Sequence, residues 1–216
     1  MSMSDKPVIH VRARSKAGKA LRRQSILQAA EGLFAQDPTV LPTIAEISND
    51  CGLAKGTIYI YFPSKEAIFL ALLEEALSKW TERLCEVAND TGSPVAVVDA
   101  LCDHLATHPR LMQLACLSTG VLEPNVTTEI LFAFKHSISD NLHRTAQQLI
   151  PMFSDGRREN AVVQMLLQTY ALLIGLWQLS HPTHCARGMS SPELERLQPA
   201  FVPTAHAALQ RLWQIN

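Results

Sequence analysis

Hydrogen-bonding side chains recur at close intervals between residues 55 and 65 of this chain. They are Lys55, Thr57, Tyr59, Tyr61 and Lys65. No nucleophile elbow, phosphate loop or pair of catalytic carboxylates is visible in the sequence, so the chain is not predicted to be an enzyme. On a helix, such donors beside Gly56, which lets a backbone approach closely, suit base edges in a major groove and the phosphates around it.

Local signals predict two short helices that hold these donors. Thr43 and Glu46 have the spacing of a capping box, so the first helix begins at about Thr43. It ends near Gly52, which permits a tight turn, and the second helix covers residues 54–61 because Pro63 must stop it. The result is a helix-turn-helix whose second helix presents the donors outward. A plain helical hairpin within a bundle has the same spacing and is the alternative.

The stretch TIAEISNDCGLAKGTIYIYFPSKEAIF resembles the N-terminal DNA-binding region of the tetracycline-repressor (TetR) family of bacterial transcription regulators. The similarity covers about residues 17–70, a quarter of the chain. It rests on the Gly-Thr-Ile-Tyr of the second helix, the Tyr-Phe pair and the Ser-Lys-Glu that follows. Ala54 departs from the serine that members often carry as the cap of this helix. The resemblance implies a ligand-responsive regulator, usually a repressor, that binds a double-stranded DNA operator.

The resemblance also assigns roles to individual residues. The positions that commonly contact DNA phosphates in the family correspond here to Tyr59, Tyr61 and Lys65. The positions nearest to base edges or sugars correspond to Lys55, Gly56 and Thr57. Thr43, at a helix N-terminus, can bind a phosphate through its hydroxyl and its backbone N–H. Phe62 is expected to turn inward and anchor the short helix.

Charge is unevenly distributed over the 216 residues, whose formal net charge is −1. Residues 1–65 carry nine basic against five acidic residues, and residues 66–216 carry ten against fifteen. We predict a helix-turn-helix DNA-binding domain at residues 1–65 and an effector-binding and dimerisation domain at residues 66–216. The first begins with a basic arm that includes Arg12, Arg14 and Lys16. This arm either adds phosphate or minor-groove contacts or is a solvated tail.

Apolar residues recur with helical periodicity along nearly the whole chain, and no alternating strand pattern of useful length is present. The chain is therefore predicted to be all-α, with about nine helices. Beyond the long helix that opens at Ser64, helices are expected at residues 94–107, 109–122, 126–150, 157–180 and 191–214. The uncharged run at 160–180 contains too many polar groups for a membrane span. Five cysteines without a C-x-x-C pair favour a reducing, cytoplasmic setting, in which a DNA-binding protein would associate with the nucleoid.

One short recognition helix reads only a few base pairs, so the resemblance implies a two-fold homodimer on a near-palindromic operator. The helix at 157–180 is apolar around most of its circumference, as expected of a helix that buries two sides. The predicted interface comprises Leu166, Tyr170, Leu173, Ile174, Trp177, Leu209, Leu212 and Trp213. A monomer in which the same residues form internal core is the alternative.

In the TetR family, the region between the fourth and eighth helices usually holds a small-molecule pocket. Few charged residues fall on inner helix faces here, so an apolar or amphipathic effector of unknown identity is expected. Candidate lining residues are Trp80, Leu84, Leu105, Met112, Cys116, Phe132, Phe134, Met165 and Thr169. No metal or other cofactor is predicted.

Histidines support a rival interpretation. His104 and His108 are four residues apart, which places two imidazoles on one helical face, and His181, His184 and Cys185 cluster later. A metal-sensing regulator is therefore an alternative, although no third ligand has an obvious place. Two further hypotheses are a helical enzyme without a recognisable motif and an architectural DNA binder with little sequence preference.

Overall fold

The computed structural model describes residues 16–182 and 191–215. Within these residues the chain forms α-helices and no strand, which confirms the all-α prediction. The helices are α1 (Lys16–Gln36), α2 (Ile44–Cys51), α3 (Lys55–Tyr61), α4 (Lys65–Thr91), α5 (Pro94–Thr107), α6 (Arg110–Leu117), α7 (Thr128–Leu149), α8 (Glu159–Ser180), α9 (Pro192–Glu195) and α10 (Phe201–Leu212). Arg12 and Arg14 of the predicted arm, and His184 and Cys185, lie outside the described residues.

The residues up to Ile68 form the first of two compact units. Helix α1 packs on α2, and α2 packs on α3. The core of this unit includes the buried side chains of Ile26, Phe34, Ile47, Ile58 and Phe62. Phe62 is buried as predicted, and the guanidinium of Arg23 lies 5.1 Å from its ring centroid. These contacts fix the orientation in which α3 presents its other faces.

The residues from Phe69 onward form the second unit. Helix α8 packs against α6, α7 and α10, and α10 also packs against α5. The buried residues of α8 include Val162, Met165, Leu166, Leu173 and Trp177, at helical spacing. By length and composition alone α8 could cross a membrane, but three helices of its own unit cover part of its surface, as they would cover a core helix.

Two predicted helices are divided in the structure. The segment expected at 109–122 is α-helical only as far as Leu117, after which Ser118–Leu122 forms a π-helical turn and Glu123–Asn125 a 3-10 turn. The segment expected at 191–214 consists of α9 and α10 with a break between them. Pro199 lies in this break, and a proline disfavours helical backbone at the residue before it.

Helix α4 begins in the first unit and continues in the second. Its N-terminus is capped as the sequence indicates, because Ser64 Oγ accepts a 3.2 Å hydrogen bond from the backbone N–H of Ala67. The boundary between the units falls between Ile68 and Phe69, whereas the predicted domain boundary follows Lys65. With 27 residues, α4 is about 40 Å long.

Candidate functional site

The N-terminus of α2 has the predicted capping box. Thr43 Oγ1 accepts a 3.3 Å hydrogen bond from the backbone N–H of Glu46, and the backbone N–H of Thr43 donates a 2.8 Å bond to Glu46 Oε2. The Thr43 hydroxyl also donates to that oxygen, at 2.7 Å. The bond from the Thr43 backbone, then that from its side chain, lowers the pKa of Glu46. Both donors of Thr43 are therefore already engaged, and a phosphate can bind them only if it replaces the Glu46 carboxylate.

The turn between α2 and α3 depends on Gly52. Its φ of 65° lies in the left-handed region, which glycine adopts without strain. The backbone N–H groups of Gly52 and Leu53 both donate to the Ser48 carbonyl, and the Ser48 hydroxyl donates to the Leu53 carbonyl. Helix α3 then starts after Ala54, which supplies no side-chain cap. The angle between the helices is thus set by hydrogen bonds within a short stretch of chain.

Helix α3 presents a mostly polar outer surface. Ile58 is fully buried and fixes which side of the helix faces the core. Of the predicted DNA-binding residues, Thr43, Lys55, Gly56 and Tyr59 are exposed, while Thr57, Tyr61 and Lys65 are half-buried. The structure therefore brings six of the seven together on α3 and the first residue of α4. Ile60, which is not a predicted contact, is also exposed.

A cavity of about 300 Å³ lies in the second unit between α4, α6, α7 and α8. Much of its wall is apolar, with contributions from Leu77, Trp80, Ala115, Phe134, Ile138, Leu142, Leu166, Leu167 and Ile174. Three of the nine predicted ligand-binding residues line it, namely Trp80, Cys116 and Phe134. A volume of this size is at the lower end of the range found for small-molecule sites, about 300–1,000 Å³.

Several residues of the cavity wall carry polar groups. Trp80 is one of them, and its indole Nε1 is buried without a hydrogen-bond partner among the residues that the structure describes. Elsewhere Glu123 Oε1 accepts hydrogen bonds of 2.8 Å from both Ser118 Oγ and Lys135 Nζ. Burial raises the pKa of Glu123, but the bonds from Lys135 and Ser118 and the Lys135 charge outweigh it, so the net shift is downward.

Two further groups of the wall are weak acids that the cavity holds protonated. Burial raises the pKa of Tyr170 to about 12, and neighbouring Cys116 and Glu123 contribute to the same shift. Burial also raises the pKa of the Cys116 thiol. Both groups are already protonated at neutral pH, and the raised pKa values keep them neutral hydrogen-bond donors at more alkaline pH as well.

The other predicted ligand-binding residues lie away from this cavity. Leu84, Leu105, Met112 and Met165 are buried in the core of the unit. Thr169 is also buried, and its hydroxyl accepts a 2.9 Å hydrogen bond from Trp213 Nε1 while donating to the Met165 carbonyl at 2.8 Å. Phe132 is 70% exposed on α7.

The predicted interface residues are mostly enclosed within the single chain. Leu166, Leu173, Trp177, Leu209 and Trp213 are buried, and Leu212 is half-buried. Tyr170 and Ile174 line the cavity. The Trp177 indole stacks on His181 with 3.7 Å between ring centroids and meets Phe201 edge-on. The exposed apolar residues of α8 instead include Ala171, Leu179 and Leu167, the last of which also borders the cavity.

The histidines of the rival interpretation form a stacked pair. The ring centroids of His104 and His108 are 4.3 Å apart. Burial lowers the pKa of His104, and the charges of His108 and Arg83 lower it further. Within residues 16–182 and 191–215, no group of three or more His, Cys, Asp or Glu side chains could hold a metal ion. The metal-sensing alternative therefore has no support in this part of the chain.

Sequence reasoning missed most of the polar residues of the cavity. Ser118, Glu123, Lys135 and Asn141 line it, and none of them is a sequence-predicted site residue. Ser118 lies in the π-helical turn, which the periodicity does not reveal. Thr127 was the available signal, because a residue that caps α7 requires non-helical backbone between α6 and α7, where polar side chains can turn inward.

Comparisons with known proteins cover both units. Residues 26–72 match the family described as bacterial regulatory proteins, tetR family, and residues 74–214 match the tetracyclin repressor-like C-terminal domain. The uncharacterized HTH-type transcriptional regulator YuxN of Bacillus subtilis is 36% identical over 73 residues, which are 34% of this chain and 25% of that protein. This chain thus spans about a quarter of the length of that relative.

Two solved structures share the fold. FadR of Thermus thermophilus, a TetR-family transcriptional repressor in complex with lauroyl-CoA, has a TM-score of 0.58 at 22% identity, and the match covers 90% of this chain and 92% of that one. FadR of Bacillus subtilis in complex with stearoyl-CoA has a TM-score of 0.53 at 18% identity, with coverage of 88% and 96%. At these identities the likeness concerns the architecture of the helices.

Proposed function

Because the chain belongs to the TetR family of bacterial regulators, we propose that it is a transcriptional repressor released from a DNA operator by a small molecule. The observation that carries the proposal is a helix-turn-helix with an outward polar face in the same chain as an apolar cavity with a few polar groups. The first feature suits double-stranded DNA and the second suits an organic effector. Such a regulator works in the cytoplasm, at the nucleoid.

DNA recognition in this proposal follows from the side of α3 opposite Ile58. Gly56 lies there and allows close approach, while Tyr59 and Lys55 are exposed at the border of this side, about 100° and 60° from Ile58, and can donate to phosphates or base edges. Lys65 and Tyr61 contribute phosphate contacts from the edge of this surface. Thr43 joins them only when Glu46 gives up its bonds, which makes it the most conditional of the seven contacts.

A two-fold homodimer supplies the second recognition helix that a useful operator needs. We place its interface on the outward surfaces of α8 and α10. Leu173 and Trp213, which were predicted from the sequence to lie in the interface, are buried within one protomer. In this proposal such residues hold α8 and α10 in place and do not contact the partner directly. The contacts themselves fall to side chains such as Ala171 and Leu179, which are apolar and exposed on α8.

The proposed effector is amphipathic. Its apolar part would occupy the cavity beside Leu142 and Ile174, where it meets aliphatic side chains. It would also carry an oxygen that accepts the free Nε1–H of Trp80, because a buried donor without a partner is costly. Lys135 and Glu123 offer a second polar contact. Acyl-CoA esters are suitable first probes because the two similar FadR structures contain them.

Helix α4 provides the coupling between effector and operator in this proposal. It carries Lys65 at its first residue and Trp80 about 22 Å further along its axis. An effector can shift the operator-bound state only by its differential affinity for the two states of the dimer. A coupling of about 1–3 kcal/mol is expected, and operator DNA must weaken effector binding by the same factor.

Two measurements test this function. Genomic fragments bound by the protein are selected and sequenced, and a shared near-palindromic motif is expected. Thermal stabilisation is then screened with apolar and acyl-CoA compounds against zinc ions, and each stabilising compound is tested for release of the motif. Cys116→Trp, which fills the cavity, should block release and leave operator binding near normal, whereas Phe132→Trp on the exposed surface of α7 should change neither.

The proposal fails if no DNA motif is enriched. The effector part alone fails if zinc stabilises the protein and apolar compounds do not, or if Cys116→Trp responds to the releasing compound as the unmodified protein does.

A further inference from the structure

Ile60 has the most exposed large hydrophobic side chain among the residues that the structure describes, at 79%. It lies in the seven-residue helix α3, where the predicted contacts are polar. Isolated exposed apolar residues are common on protein surfaces and need no explanation by themselves. The position of Ile60 on α3 is what makes this one informative.

Ile60 points directly away from the core of the first unit. Successive residues of an α-helix are about 100° apart, so Ile60 lies about 200° around the axis from Ile58, which is fully buried. Gly56, two residues before Ile58, lies about 160° around the axis from Ile58. Gly56 and Ile60 are therefore neighbours on the outermost line of α3. Thr57 and Tyr59 lie on either side of this line, about 100° from Ile58.

The space beside this line is open within the described part of the chain. A side chain built on Gly56 would have no atom within 4 Å, so the space over the preceding turn is free. In a helix a side chain leans back over the turn that precedes it, and the residue four before Ile60 is Gly56. The Ile60 side chain therefore has room above Gly56 and is the most protruding apolar group of the surface that carries the predicted DNA contacts.

We infer that Ile60 reads a thymine by packing its side chain against the C5-methyl group in the major groove. This inference rests on the proposed DNA-binding function. The thymine methyl is the one apolar group that base edges present in the major groove, and apolar side chains recognise it there. A residue on the outermost line of a recognition helix can reach the floor of the groove, while Thr57 and Tyr59, on either side of that line, face its walls.

The inference is tested with an operator selected by the unmodified protein. Each thymine in turn is replaced by deoxyuridine, which removes only the methyl group and keeps every hydrogen bond of the base pair. The dissociation constant of each duplex is measured for the unmodified protein and for Ile60→Ala. Alanine is a better helix former than isoleucine and the site is exposed, so this variant is expected to fold, as thermal unfolding will verify.

One thymine in each half-site is expected to stand out. Its replacement should weaken binding by the unmodified protein about four-fold per half-site, the worth of one buried methyl group. Ile60→Ala should bind the intact operator more weakly and should lose less than about two-fold from the same replacement, because alanine retains little contact with the methyl. Val40→Ala, a matched truncation at an exposed site outside α3, should show the deoxyuridine profile of the unmodified protein.

Two results would overturn the assignment while leaving the proposed function intact. One is binding that no deoxyuridine replacement changes, and the other is a sensitive thymine whose replacement costs Ile60→Ala as much as it costs the unmodified protein. Failure to select any operator would instead overturn the proposed function, and this inference with it.

Discussion

Two tryptophans of the second unit are both buried, but the indole N–H groups differ in whether they have a hydrogen-bond partner. The same substitution at each site measures this difference. Trp80 and Trp213 are 3% and 1% exposed. Trp213 Nε1 donates a 2.9 Å hydrogen bond to Thr169 Oγ1, whereas Trp80 Nε1 has no partner among the described residues. Tryptophan-to-phenylalanine substitution removes the same atoms at both sites. The difference in the free energy of unfolding between the two variants therefore reports whether each indole N–H is hydrogen-bonded.

The expected difference in the free energy of unfolding follows from the hydrogen bonding of each indole N–H. Trp80→Phe removes an unpaired buried donor, which relieves a penalty of about 1–3 kcal/mol. Trp213→Phe removes a hydrogen bond that contributes about 0.5–1.5 kcal/mol net. Both variants remove the same atoms from a buried site, so the transfer part of the packing loss is common to the two. The free energy of unfolding of Trp80→Phe should exceed that of Trp213→Phe by about 1.5–4.5 kcal/mol.

Urea-induced unfolding, followed by circular dichroism at one protein concentration, measures this difference. Fixed concentration matters because the proposed dimerisation would contribute to apparent stability. If the two variants lose the same free energy of unfolding, Trp80 Nε1 has a hydrogen-bond partner in solution, such as a water molecule. That result would refute the reasoning. The proposed effector adds a second readout, since Trp80→Phe should weaken its binding and Trp213→Phe should not.

Three other predictions concern the DNA surface, the dimer and the cavity. Lys65→Ala should weaken binding to all DNA sequences alike and reduce the slope of log affinity against log salt by about one unit; altered sequence preference with an unchanged slope would contradict the phosphate role. Leu179→Glu should give monomers in sedimentation, while Phe132→Glu, also an exposed site, should stay dimeric; a monomeric unmodified protein at micromolar concentration would exclude the dimer. Because burial raises the pKa of Cys116, its alkylation by iodoacetamide should be slow at neutral pH and should still accelerate between about pH 9.5 and 10.5, where a free thiol of pKa ~8.5 is almost fully ionised; a rate that levels off in this range would contradict the raised pKa.

Features set by a few neighbouring residues were predictable from the sequence. The Thr43–Glu46 capping box, the left-handed Gly52 and the Ser64 cap each depend on contacts between residues close in the chain. Phe62 was also placed correctly, because Pro63 ends α3 and leaves an aromatic ring next to the core. In all four cases the local backbone conformation requires a particular residue type, so the residue type predicts the conformation.

The cavity was only partly predictable because its wall depends on packing between distant segments. Trp80 and Leu84 share one face of α4, yet only Trp80 lines the cavity, and Leu84 is enclosed by other side chains. The bond between Trp213 and Thr169 joins residues 44 positions apart, and no local pattern announces it. Periodicity identifies which face of a helix is inward, but not whether a neighbouring helix fills the space there.

The proposed interface was only partly predictable for the same reason, because it also depends on packing between distant segments. The sequence shows α8 to be apolar around most of its circumference. Its packing with α6, α7 and α10 uses many of those residues, including Leu173 and Trp177, inside one protomer. Counting apolar residues could not separate side chains that face the protomer from those that face outward, such as Leu179.

The π-helical turn at Ser118–Leu122 absorbs one residue of chain length next to the cavity. A π-helical turn accommodates one residue more than an α-helical turn, and such turns are frequent at functional sites. Deleting one residue from this turn would restore α-helical spacing and leave Glu123 at nearly the same angle around the axis, whereas deleting one residue from the α-helical part of α6 would rotate Glu123 by about 100°, away from Lys135. Related chains can thus gain or lose one residue in this turn and keep the polar group that meets a ligand, so an indel has different consequences here and in the regular helix before it.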